Sequence, residues 1–229
     1  MNSATAPYRA CVWRCLPPPL PASQIGSLYW ANHLRDRLGI GRGRQPTSPS
    51  DAAWRGKVGP DGVAWTTDGI PFLSRKEGDN IAVVTRCGGF PISLAVPVPN
   101  LHGQTLYVMI SGVTWPAQSH VVNLRLTLEY ADGGRSVANL VNPFDIGDCW
   151  DTWLGCSHDT AANGFENLGG RFGAAGSAEV ADMRQPIDVD TEAHILALDL
   201  RPGAELVFLA LEAVANDVVF GLMGATVLR

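Results

Sequence analysis

The 229-residue sequence predicts an all-β fold, an antiparallel sandwich of two sheets. A strand, a turn and a rhythm carry that expectation. The strand is residues 121–130, VVNLRLTLEY: Val122, Leu124, Leu126, Leu128 and Tyr130 share one parity, and Asn123, Arg125, Thr127 and Glu129 the other. Strand side chains alternate between faces, so the pattern means one buried and one wet face, as in antiparallel sheets. The turn is Ala131-Asp132-Gly133-Gly134, whose residues tolerate positive φ, before RSVANLV returns as the second arm of a hairpin. The rhythm is a series of about eight short apolar runs bounded by turn residues, with no βαβ alternation, which argues for a two-sheet sandwich or jelly roll.

The elements follow in order. Residues 1–50 read as a poorly structured tail or linker, with Pro17, Pro18, Pro19, Pro21, Pro46 and Pro49 and the cations Arg35, Arg37, Arg42 and Arg44. Only 27–38 (SLYWANHLRDRL) has helical spacing, so one short helix is expected there. The glycines of GIGRG (39–43) follow no strand and open no helix, so they are not read as a nucleotide loop. Residues 51–229 form the sandwich domain. Its strands are expected at 81–85, 92–96, 104–111, 121–130 and 135–141, then at 193–200, 205–214 and 218–228. The last is apolar on both faces apart from Thr226, so it belongs in the middle of a sheet covered on both sides. Before it, 163–194 (NGFENLGGRFGAAGSAEVADMRQPIDVDTEAH) reads as a long glycine-punctuated excursion, neither helix nor strand.

Composition bounds the function. Apolar content of 46% allows a sizeable core, and a net charge of −5 argues against a nucleic-acid partner, which needs a basic surface. No stretch of about 18 apolar residues is present, so no membrane span is expected. The beginning, MNSATAPYRACVWRCLPPPLPA, is interrupted by Arg9, Arg14 and three prolines and does not read as a signal peptide. The five cysteines are Cys11, Cys15, Cys87, Cys149 and Cys156. Cys11 and Cys15 lack a second pair for zinc; Cys149 and Cys156 flank a loop, as a disulfide or as free buried thiols.

Four groups of residues carry possible chemistry. Asp188, Asp190, Glu192 and His194 would share one face if extended, but Leu196, Leu198 and Leu200 continue that parity. Buried ionisable groups must be paired. A structural charge cluster of Glu166, Arg171, Asp190, Glu192 and His194, with Arg171 or Arg184 as the cation, is therefore preferred to a metal or acid–base site. Second, 145–153 (DIGDCWDTW) puts three acids and two tryptophans in nine positions. A Trp face stacks on a sugar ring and nearby acids accept its hydroxyls, so Asp148, Trp150, Asp151 and Trp153 are the candidate carbohydrate-binding residues, the alternative being a loop packed back on the sandwich. The same oxygens would suit a structural Ca²⁺, without EF-hand spacing; no other cofactor or metal is expected. Third, Glu166 and Glu179 are a carboxylate pair of the kind a glycosidase needs, or else ion pairs pinning the segment. Fourth, neither Ser177 nor Cys87 has the surroundings of a nucleophile.

Several segments in this order, DGIPF (68–72), DNIAVVT, LYVMISGVTWPAQS, LEYADGGRSVANLVNPFDIGDCW and AVANDVVFGLMGATVL, resemble the C-terminal galactose-binding-like or jelly-roll regions of large bacterial glycoside-hydrolase-type proteins. The resemblance covers 51–229, and its best motifs are the Y-x-DG hairpin and the Asp–Trp loop. It implies an accessory module in a secreted or envelope setting, binding carbohydrate or docking on a carbohydrate-active catalytic domain. Residues 1–50 are too few for a catalytic barrel, and in this the chain departs from those proteins. The enzymatic alternative is a jelly-roll glycosidase or lyase using Glu166, Glu179, His194 and Arg171.

Overall fold

The computed structural model describes residues 51–86, 90–113, 120–142, 145–146, 181–188, 191–216 and 218–228, and the backbone of 10–13 and 19–20. The strands are β1 (Ala10–Trp13), β2 (Pro19–Leu20), β3 (Val63–Trp65), β4 (Pro71–Leu73), β5 (Ile81–Thr85), β6 (Ser93–Leu101), β7 (Thr105–Val113), β8 (Val122–Tyr130), β9 (Arg135–Val141), β10 (Ala181–Asp188), β11 (Thr191–Asp199), β12 (Leu206–Ala213) and β13 (Val219–Leu228). One helical turn, α1 (Ala52–Gly56), precedes β3. Every strand pair is antiparallel.

Two sheets face each other. The larger runs β10-β11-β7-β13-β5-β2, with β1 also on β13, and the smaller runs β6-β12-β8-β9. Their facing sides supply one apolar core: Leu106, Val108, Ile110, Leu196, Leu198 and Phe220 from the larger sheet, and Leu124, Leu126, Leu128, Leu209 and Leu211 from the smaller. The alternation in 121–130 is realised, with Leu124, Leu126, Leu128 and Tyr130 facing the core.

The larger sheet is covered on its other side too. A second apolar cluster joins Trp54 of α1, Ala64 and Phe72 of the β3–β4 hairpin, and Met109, Ile195, Val219 and Met223 of the sheet. Trp54 donates its indole N–H to Ser74 at 3.2 Å and meets Phe72 edge-on. Asp51 grips Arg55 through both oxygens at 2.8 and 2.9 Å and accepts from Asn80, which in turn accepts from Arg55 at 2.7 Å. That clasp ties α1 to the residue before β5. With cover on both faces, β13 is buried along all but its last residue, as its unbroken apolar sequence predicts. Thr226, its one polar side chain, is satisfied by donating to the Pro71 carbonyl.

A bulge between Leu222 and Gly224 resets the strand. Phe220 and Leu222 face the inter-sheet core before it; Ala225 and Val227 do so after it. Gly224 lets the Phe72 ring approach, since a Cβ there would lie 3.0 Å from it.

The remaining expected elements compare as follows. Within the first fifty residues, read as poorly structured, two short strands are described: β1, paired with β13, and β2, paired with β5. The short helix expected at 27–38 lies outside the described residues. The excursion expected over 163–194 ends in a strand: β10 pairs along β11 from Ala181↔Ala197 to Asp188↔Thr191. Asp182, Arg184 and Pro186 make β10 look like a loop in sequence, but a proline is tolerated on an edge strand.

Candidate functional site

The registers sort the connections into two ends of the sandwich. At one end lie the turn between β8 and β9 and the connection between β11 and β12, joined where the Arg201 N–H donates to the Tyr130 hydroxyl at 3.2 Å. At the other end lie Thr85, paired with Val219, which also pairs with Val113, and Asn123, whose carbonyl accepts from Val214 at 2.8 Å. Val141 closes β9 at this second end, and the chain leaves from there toward residues 147–180.

That departure point is firmly anchored. The Asp145 N–H donates to the Val141 carbonyl at 2.9 Å, and its carboxylate accepts from the Val141 N–H, also at 2.9 Å. Asp145 is buried, and Ile146 inserts into the inter-sheet core. Asn123 and Asn142, at the same end of the smaller sheet, are buried too. His120 sits at φ 63, the left-handed region that few non-glycine residues adopt, and its N–H donates to Asn142 at 2.6 Å. The polar side chains of Asn123, Asn142 and Asp145 are turned inward and engaged within the chain itself.

The sequence-derived residues distribute as follows. Asp148, Trp150, Asp151, Trp153, Glu166, Arg171, Glu179 and Asp190 lie outside the described residues, as do Cys149 and Cys156. His194 and Glu192 are on β11, three and one residues from its start, with His194 on the inter-sheet side as its parity with Leu196 and Leu198 predicts. His194 is only 2% exposed and is engaged there. Glu192 accepts from Arg184 at 3.1 Å. Asp188 departs from the shared face: it ends β10, opposite Thr191, on the far side of the hairpin from Glu192. The single-strand reading of Asp188, Asp190, Glu192 and His194 is therefore corrected to two strands. Among the described residues no three His, Cys, Asp or Glu side chains group as a metal site would need, and no helix is long and apolar enough to cross a membrane.

Two features were not singled out from the sequence. Trp65 on β3 is 58% exposed, the most open large apolar side chain among the described residues. Its signal was three residues of alternation before a Thr-Thr-Asp-Gly turn, too short to weigh. The other is a half-open cleft of about 370 Å³ between the two sheets, lined by Leu126, Leu128, Arg135, Ser136, Val137, Ala138, Leu198 and Asp199. Only pairing shows it, because it lies where β9 and β11 come together from opposite sheets.

No known family model matches the chain, and a search of curated proteins finds none that matches it.

Proposed function

We propose that the protein is a non-catalytic β-sandwich module that binds carbohydrate through the acidic–aromatic segment holding Asp148, Trp150, Asp151 and Trp153. One observation carries the reading. In sequence the segment follows directly on Asp145 and Ile146, which the Val141 N–H and the inter-sheet core pin at one end of the sandwich. Sugar recognition asks for aromatic faces to cover the ring and acidic oxygens to accept its hydroxyls, and residues 148–153 bring both residue types within a few positions of that fixed point in sequence. The enzymatic alternative asks for His194 in an open cleft, whereas its side chain is 2% exposed. Docking on a carbohydrate-active catalytic domain is the related role in which the same end meets protein.

The test is retention of the full chain on a panel of polysaccharides, with and without Ca²⁺. The expected result is specific retention, lost in a Trp150→Ala, Trp153→Ala variant and kept in Trp65→Ala. Retention unchanged in the double variant would remove the proposed site. A folded chain retained by no glycan would remove the carbohydrate role and leave docking.

A further inference from the structure

The outer strands of the two sheets are not equally protected. An edge strand exposes a row of unpaired N–H and C=O groups, which proteins blunt with proline, charge or a bulge. The edge strand β6 carries Pro97 and Pro99. The edge strand β10 carries Pro186, a register shift beside it, and acids at both ends. The edge strand β9, RSVANLV, has no proline and no bulge in its 135–140 stretch. Its one charge, Arg135, is occupied by Glu129 at 2.8 Å.

The turn fixes which β9 groups are open. The Tyr130 N–H donates to Gly134 at 2.9 Å, so the Tyr130–Gly134 pair exchanges toward β8. Hydrogen-bonded and non-hydrogen-bonded pairs alternate in an antiparallel ladder. With Leu128↔Ser136 and Leu126↔Ala138 bonded, the backbone groups of Arg135, Val137 and Asn139 point away from β8. No described strand lies on that side.

Behind this edge lies the 370 Å³ cleft. It exists because β9 turns Ser136 and Ala138 inward where β8 turns Leu128 and Leu126. The two small side chains leave the rim of the inter-sheet core unfilled. Asp199 stands at the mouth, on the opposite sheet, exposed.

We propose that β9 is a strand-addition site for an extended peptide of another protein, apolar at alternate positions and carrying a basic residue at the end near Asp199. The peptide backbone would pair with Arg135, Val137 and Asn139. Its inward side chains would extend the core outward past Ser136 and Ala138. Main-chain pairing supplies affinity in such complexes, and pockets for alternate side chains supply the choice of sequence. The site uses none of the residues proposed for carbohydrate binding, so it stands or falls independently of that role.

The experiment pans a phage-displayed octapeptide library on the full chain, then titrates the enriched peptides by fluorescence anisotropy. The expected winners alternate apolar and polar residues with a terminal Lys or Arg. Val137→Pro, which removes the outward N–H, should weaken them by about tenfold or more, a loss of about 1.4 kcal/mol. Val137→Thr, which keeps that N–H, should bind like the parent. Ala138→Leu, which fills the cleft, should also weaken binding. Backbone N-methylation of the peptide at alternate residues makes the same test should Val137→Pro fail to fold. No alternating winner, or affinity indifferent to both Val137→Pro and N-methylation, overturns the proposal. So does a free chain that sediments as a dimer dissolved by Val137→Pro, since a second copy then holds the edge. Slow hydrogen exchange at the Val137 amide of the free chain overturns it too, because the protein's own chain then covers β9.

Discussion

Asp132 holds the guanidinium of Arg201 at 2.7 and 3.3 Å across 69 positions of chain, pinning the β8–β9 turn to the connection between β11 and β12. The same guanidinium lies 5.1 Å from the centre of the Tyr130 ring. The Gly134 N–H, and after it Arg201, hold the Asp132 carboxyl below its ordinary value of 3.8. A carboxylate whose pKa is depressed on folding adds stability above its unfolded pKa and loses it as pH falls through the folded one. Wild type should therefore exceed Asp132→Asn in melting temperature at about pH 7, and the gap should close below about pH 4. The pair is exposed, so added salt should narrow the gap as well. Thermal melts across that range check it; a constant gap at every pH would show that the charge is irrelevant.

Gly112 is a contact surface rather than a hinge. A Cβ at this position would sit 2.3 Å from Cδ1 of Phe220, which is fully buried. Since Gly112 and Phe220 are register partners in the middle of the larger sheet, neither backbone can retreat cheaply. Gly112→Ala is expected to cost about 1–3 kcal/mol through overpacking. Urea unfolding at constant m-value measures it, and a neutral result would mean that the Phe220 ring has an alternative place to go.

The clasp around α1 should behave as a unit. Asp51 and Arg55 have side chains only 7% and 16% exposed, and both also bond Asn80. Removing one partner of a buried ion pair strands the other. Asp51→Ala is expected to cost about 3 kcal/mol. Asn80→Ala on the Asp51→Ala background should then add less than it costs alone, which a double-mutant cycle reads directly.

Much of this architecture was legible because long strands write their burial into their sequence. Residues 121–130, 135–141 and 218–228 carry enough consecutive side chains to show a period of two or its absence, and β8, β9 and β13 follow them closely. The β3–β4 hairpin was not legible: each arm has three residues, and Trp65 points outward. Strand β10 was hidden by Pro186 and its charges, which belong to its edge position rather than to a loop. Within the candidate site, parity alone placed His194 on the core face. Parity could not place Asp188, because β10 ends at Asp188 and its antiparallel partner β11 begins at Thr191. The β9 edge and its cleft were beyond reach of any pattern, since Ser136 and Ala138 look ordinary until their Leu128 and Leu126 partners are known.

The central position of β13 dictates the order in which the molecule can be completed. Strands β5 and β7 do not pair with each other; each waits for β13 to fill the space between them. Thr85 reaches its acceptor, the Val218 carbonyl at 2.7 Å, over 133 positions of chain. A nascent polypeptide on the ribosome must therefore carry two apolar strands with open flanks until the thirteenth emerges. Such long-range closure slows folding and leaves sticky intermediates in the meantime. The keystone that makes the finished sheet so well buried also makes its unfinished form the most vulnerable moment in the protein's life, when a holding chaperone would matter most.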